Sequence, residues 1–453
     1  MSKANTKDLT VGDPFKLILS FSIPIFFGIL FQQFYNVMDT MIVGKTLGVD
    51  ALAAVGATGS VMFMILGFCT GVASGFAIPI AQRFGARDEH GMKKAIANSL
   101  WLSLFFSIVI TVAVSLLCHQ ILQWMNTPSN IVKDSYQYLI IIFIGIPITF
   151  FYNMFSCIIR ALGDSKTPLY FLVLSSVLNI GLDLILIVIF HMGVAGAGYA
   201  TVFSQGVSMV LCGIYMMKKY DVLKMTKEER KIDIHDMGIL CGMGIPMGLQ
   251  YSITAIGSVI LQTAVNGLGS TAVAAMTSGG KISLFFCAPF DALGTAMATY
   301  GGQNVGAKRL DRVDEGLKKG ILIGAVYAVA AFCILFFFGK YFALLFVSNQ
   351  ETEIIHNIST FLIINSAFYI PLTLVNVVRF MIQGMGFSTL AVVSGVMEMV
   401  ARAAVGFMLV PQFGFKAACF ASPFAWILAD IFLIPAYLSV RKRLSERFSV
   451  KQF

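Results

Sequence analysis

Charges are scarce in the apolar parts of this sequence, and three polar residues stand out there. Asp39 lies near the end of the first apolar run, and Asn179 and Asp183 lie inside the run from Leu169 to Phe190. Asn179 and Asp183 are four residues apart, so a helix presents both on one face. An aspartate within a membrane span costs roughly 2.5–3.5 kcal/mol on insertion scales, which marks it as a functional-site candidate. Polar stripes accompany these residues. Gln32, Tyr35, Asn36 and Asp39 follow one another at i, i+3, i+4 and i+7, as do Thr149, Tyr152, Asn153 and Ser156, and again Thr201, Ser204, Gln205 and Ser208. Lipid cannot satisfy such groups, so the three faces must turn toward one another or toward a water-filled cavity.

Counted from the outer helix ends at 1.5 Å per residue, Asp39, Asp183 and Thr201 fall roughly 6–11 Å below the outer surface, where they can meet. Asn179 falls nearer the midplane and Asn153 nearer the cytoplasmic end. Two carboxylates, a carboxamide and a hydroxyl are hard oxygen ligands suited to Na⁺, and two close carboxylates also suit H⁺, because their repulsion favours protonation of one. The plainer alternative is an interhelical polar clamp. Such hydrogen bonds contribute about 0.6 kcal/mol on average, less than the insertion cost of one aspartate.

The elements that position these side chains follow from composition. The 453 residues are 57% hydrophobic and 12% charged, with a mean hydropathy of +0.83. Soluble domains carry about a quarter charged residues, so this is a polytopic membrane protein. Apolar runs of spanning length at 15–43, 52–80, 95–117, 135–159, 169–190, 194–217, 238–264, 271–300, 318–339, 354–382, 388–410 and 416–438 predict an all-α fold of twelve transmembrane helices. The first run lacks a small-residue cleavage pattern and reads as a retained span. The charged linker divides six spans from six, giving an N-terminal lobe over 1–217, a cytoplasmic linker over 218–236, a C-terminal lobe over 237–440 and a basic tail over 441–453. Of the 32 Lys and Arg residues, 26 fall on the side of the N-terminus, Arg379 among them. This positive-inside pattern puts both termini in the cytoplasm and accounts for the net charge of +9 without a nucleic-acid partner.

The halves are copies. Leu47–Ala54 reappears as Leu268–Ala275, and Gln82-Arg83-Phe84-Gly85-Ala86 as Gln303-Asn304-Val305-Gly306-Ala307, both at an offset of 221. Six-span copies enter the membrane in the same direction, so a pseudo-two-fold axis along the membrane normal is expected, with a substrate path between the lobes. Gln303, Asn304 and Gly306 read as a helix end that holds its lobe together. The second copy differs in chemistry. The seventh-span stripe Tyr251, Thr254, Ser258 and Gln262 has no carboxylate, and Glu398 and Arg402, at i and i+4, are expected to pair with each other. Eight scattered Cys residues and five His residues in loops or at span ends form no metal-ligand or catalytic pattern, which argues against an enzyme.

With two six-span repeats, the paired Gln82-x-x-Gly85-Ala86 and Gly302-Gln303-Asn304-Val305-Gly306-Ala307 segments, and Asn179-x-x-x-Asp183, the chain resembles the multidrug and toxic compound extrusion (MATE) family, in its DinF-like and MepA-like branch, over nearly its full length. The resemblance implies two six-helix lobes around a central cavity in the plasma membrane. It implies export of amphipathic, often cationic compounds against Na⁺ or H⁺ by rocker-switch alternating access, without a cofactor. It places the coupling cation at Asp39, Asn179, Asp183 and Thr201, adds Asn153, and makes Pro24 the point where the first helix bends. Gln32, Tyr35, Asn36, Tyr152, Gln205 and Gln262 are then expected to face the substrate cavity. The expected partners are small organic molecules and membrane lipids, with the chain acting as a monomer. A flippase for a lipid-linked precursor is the competing reading, which an array of cavity arginines would favour.

Overall fold

The computed structural model describes residues 7–220 and 224–450. The start of the N-terminal segment, residues 221–223 of the expected linker and residues 451–453 of the basic tail lie outside the described residues. Apolar composition without backbone partners in lipid leaves helix as the stable local structure, and among the described residues every regular element is helical. In chain order these are α1 (Pro14–Leu47), α2 (Val49–Gly85), α3 (Glu89–Trp124), α4 (Val132–Ile144), α5 (Ile146–Ala161), α6 (Lys166–Asp183), α7 (Gly193–Lys219), α8 (Ile234–Asn266), α9 (Ser270–Gly306), α10 (Leu310–Ala343), α11 (Thr352–Ala367), α12 (Tyr369–Gly384), α13 (Ser388–Ala404), α14 (Val410–Phe413), α15 (Phe415–Cys419) and α16 (Ala421–Val450).

Among the described residues, ten helical segments are long and apolar enough to cross a membrane. The pairs α4–α5, bent by 47°, and α11–α12, bent by 51°, bring the number to twelve when each pair is one span. Both breaks come just before a proline, Pro147 in α5 and Pro371 in α12, whose missing N–H and bulky ring interrupt the helical ladder. Two π-helical turns also recur at matching places, Leu184–Ile189 directly after α6 and Val405–Leu409 directly after α13.

The helices form two compact units, one built on Phe27–Gly248 and the other on Leu9–Phe26 with Leu249–Phe453. These bounds differ from the expected lobes at two places. Residues 9–26, which include the start of α1, belong to the second unit, and residues 237–248 of α8 to the first. Each transition follows a proline inside the helix, Pro24 in α1 and Pro246 in α8, where the backbone ladder is already weakened.

In the first unit, α2 and the start of α8 pack backbone to backbone. A Cβ on Gly75 would lie 2.5 Å from the Gly244 Cα, and one on Gly71 would lie 2.6 Å from the Met247 carbonyl oxygen, so only glycine fits at either place. The segment leading into α8 is fastened by polar contacts. Lys94 Nζ donates to Asp233 at 2.7 Å, the Asp233 N–H donates to Asn98 Oδ1 at 2.9 Å, and Arg83 Nη1 donates to Asp236 at 3.2 Å.

In the second unit, the end of α9 grips the segment before α1. Gln303 and Asn304 are fully buried; Gln303 Oε1 accepts the Leu9 N–H at 2.9 Å, and Asn304 Nδ2 donates to the Leu9 carbonyl at 3.2 Å. Arg312 Nε donates to Asn304 Oδ1 at 3.1 Å and fixes the amide in that orientation. Gly306 closes α9.

Candidate functional site

Asp183 is the last α-helical residue of α6, followed at once by the π turn. Its side chain is fully buried, and Asn179, one turn earlier on the same face, is 2% exposed. Asn179 Nδ2 donates to Thr201 Oγ1 of α7 at 3.3 Å. From α1, Asp39 is 7% exposed and its carboxyl lies within hydrogen-bonding reach of the Asp183 carboxyl. No donor satisfies either Asp183 oxygen, Asp39 Oδ1 or Asn179 Oδ1, and all four atoms are buried. Carboxylates so placed are uncompensated unless a cation or a shared proton joins them.

Next to Asp39 and Thr201 is a cavity of about 60 Å³, whose polar lining is Tyr35, Asn36, Asp39, Tyr138, Thr149, Thr201 and Gln205. Tyr35 lies against Gln205, and Thr149 Oγ1 donates to Gln205 Oε1 at 2.6 Å, so the stripes of α1, α5 and α7 meet here. Asn179 and Asp183 do not line the cavity themselves; they join it through Thr201 and Asp39. At roughly 30 Å³ per water, the space holds an ion with little hydration and is far below the roughly 300–1,000 Å³ of pockets for organic ligands.

Other expected residues do not line this cavity. Asn153 donates to the Thr149 carbonyl of its own helix at 2.9 Å and does not line the cavity. Tyr152 is buried in the core, and Gln32 is exposed on α1. Gln262 donates to Asn266 Oδ1, one turn on in α8, at 2.9 Å, and Pro24 is buried in the second-unit part of α1.

Glu398 and Arg402 do bond to each other, at 3.2 Å, but the pair is incomplete as read from sequence. Arg379 Nη1 donates to the other Glu398 oxygen at 2.7 Å, so Arg379 is a buried residue of α12 and not a loop cation. Asp430 on α16, 7% exposed in an apolar run, also belongs to this neighbourhood, as does Asp291 of α9. The i, i+3 spacing of Asn376 and Arg379 is the signal that points inward, and Arg379 Nη2 donates to Asn376 Oδ1 at 3.4 Å.

The MatE family model matches residues 24–185 and 246–408, one match on each repeat. The chain is 30% identical over 339 residues to the probable multidrug resistance protein YoeA of Bacillus subtilis (strain 168), covering 73% of each. It is 30% identical over 348 residues to the probable multidrug resistance protein YpnP of the same organism, covering 76% of this chain and 77% of the relative. A solved outward-facing multidrug resistance MATE family transporter of the MOP superfamily matches with a TM-score of 0.90 at 25% identity, over 98% of this chain and 99% of that one. The first family match runs from Pro24 past Asp183 and the second spans the Arg379–Glu398–Arg402 network, so both sets of buried charges lie within shared architecture. This protein is a member of the MatE family of multidrug efflux transporters.

Proposed function

We propose that the protein is a secondary active exporter of the plasma membrane, with both termini cytoplasmic, which moves amphipathic, often cationic organic compounds outward against Na⁺ or H⁺. The observation that carries this reading is the Asp39–Asp183 pair: two buried carboxyls within reach of each other, with no donor to three of their four oxygens. A Na⁺ ion would take oxygens from Asp39, Asp183, Asn179 and Thr201; a proton would be shared between the two carboxyls. Either places a positive charge between the two carboxyls and relieves their repulsion.

The adjoining 60 Å³ cavity is too small for an organic compound, so ion and drug occupy different places and are coupled through the conformations that each favours. Rocker-switch motion of repeated six-helix lobes provides such conformations. The multidrug resistance named for YoeA and YpnP supports organic compounds as the cargo.

The test is accumulation of a fluorescent organic cation in proteoliposomes, with a Na⁺ gradient and a pH gradient imposed separately. Wild type is expected to concentrate the dye under one of the two. Asp39→Asn and Asp183→Asn are expected to lose gradient-driven accumulation while still exchanging dye for dye. Concentration of the dye at the wild-type rate by either variant would refute the proposal.

A further inference from the structure

The second unit contains a cavity of about 220 Å³ bounded by α1, α9 and α10, with every lining residue in that unit. It exceeds the roughly 150 Å³ of an apolar protein cavity that takes up benzene. Its polar lining residues are Ser22 and Tyr327, and both hydroxyl protons are committed: Ser22 Oγ donates to the Leu19 carbonyl at 3.1 Å, and the Tyr327 hydroxyl to the Phe286 carbonyl at 3.0 Å. Asp291, between the lining residues Phe290 and Ala292, does not itself line the space. A cavity with no polar group to spare selects hydrocarbon. It is partly open to the surroundings. Ile23 of its lining is exposed, and so are Leu322 and Val326, which flank the lining residues of α10, so bilayer hydrocarbon is what meets it.

Positive charge lies one turn away. The first lining residue of α1 is Leu19, three residues after Lys16, and that of α10 is Ile323, four residues after Lys319, so each lysine shares a face with the lining residue that follows it. As the first and ninth of twelve spans, α1 and α10 run in the same direction, which puts both lysines at the same end of the cavity. Lys16, Lys318 and Lys319 make no hydrogen bond or ion pair among the described residues. Of the nearby acids, Asp311 is held by Arg309 at 2.8 Å, Asp314 by Arg441 at 3.0 Å, and Asp13 caps α1 by accepting the Phe15 N–H at 3.1 Å. With Asp13 and Glu315 set against the three lysines, the rim keeps one positive charge. We propose that the cavity seats an acyl chain of a phospholipid with a singly anionic headgroup, drawn from the leaflet on the side of the N-terminus, with Lys16 and Lys319 on its phosphate. Lysine stems lie along apolar surface while the ammonium groups reach the headgroup layer, and basic pockets between membrane helices recognise anionic headgroups. The bound lipid braces the part of α1 that ends at Phe26, where the chain leaves the second unit.

Phe26→Trp places a reporter in the lining. It is made in full-length protein with Trp101→Phe and Trp124→Phe, and the same protein without Phe26→Trp supplies the background of the buried Trp426. In phosphatidylcholine vesicles, brominated phosphatidylglycerol is expected to quench the reporter half-maximally at a mole fraction about tenfold lower than brominated phosphatidylcholine does.

Lys16→Gln with Lys319→Gln is expected to make the two quenching curves coincide, and Lys16→Arg with Lys319→Arg to keep them apart. Ala292→Leu fills part of the cavity with both lysines in place, and is expected to abolish the preference as well. Should Ala292→Leu fail to fold, the exposed lysine variants still decide. Equal quenching by the two lipids in the parent protein, or a preference unchanged in the glutamine pair or in folded Ala292→Leu protein, would overturn the inference.

Discussion

Thr201 has one task at the proposed cation site that can be separated from charge: its hydroxyl accepts from Asn179, at 3.3 Å, and so leaves Asn179 Oδ1 free of that bond and turned into the buried site. Thr201→Ala is expected to raise the half-saturating concentration of the coupling ion by up to about tenfold, since a hydrogen bond between neutral groups contributes about 0.5–1.5 kcal/mol. Thr201→Ser should stay near wild type, and ion titration of transport in proteoliposomes measures both. The meeting of Asp39, Asp183 and Thr201 was legible in sequence because a membrane fixes depth, and depth converts residue counts into distance. Arg379 was misread for the same reason in reverse: a count that takes the span to end near residue 382 puts it at the surface, whereas the break before α12 resets the geometry and buries it.

At the scale of elements, twelve spans could be counted from hydropathy, but their breaks and partners could not. Pro147 and Pro371 signal the two bends only once one knows that α4–α5 and α11–α12 are single spans. The spacings Gly71-x-x-x-Gly75 and Gly244-x-x-x-Gly248 were equally visible, yet a small-residue motif does not name the helix it meets. The contact between α2 and α8 gives a direct test. Gly75→Val places atoms where the α8 backbone already lies and is expected to destabilise the protein by about 1–3 kcal/mol, read as a lower melting temperature in detergent. Gly56→Ala, on the same helix with nothing within 4 Å of the new Cβ, should be neutral or slightly stabilising. Equal losses in both would argue against close packing as the cause.

At the scale of the whole molecule, the duplicated architecture carries different chemistry in its two copies: two carboxyls with three oxygens that lack a donor in one unit, and in the other a glutamate shared by two arginines, Arg379 and Arg402. The repeat and the Glu398–Arg402 pair were legible in sequence, whereas the bond from Arg379 to the same carboxylate was not, because the break before α12 brings it inward. The polar fastening before α8 makes stability depend on pH in a predictable direction. The Lys94 ammonium on Asp233, aided by the Asp236 and His235 N–H groups, holds its carboxyl below the ordinary value of 3.8. A lowered folded value gives stabilisation that is fully present at neutral pH and lost as pH falls through that value. Wild type should therefore lose more melting temperature than Asp233→Asn on acidification below about pH 4, and the two curves should run parallel above pH 6.

The central claim is that the Asp39–Asp183 pair takes up the ion that is exchanged for substrate. Proteoliposomes loaded with a pH-sensitive or a Na⁺-sensitive dye, and given organic cation on one side only, report ion movement driven by the substrate itself. Wild type is predicted to show such a flux of one ion, and the Asp39→Asn/Asp183→Asn protein to show none while retaining dye-for-dye exchange. Substrate-driven ion flux of wild-type size in the double variant would contradict the claim.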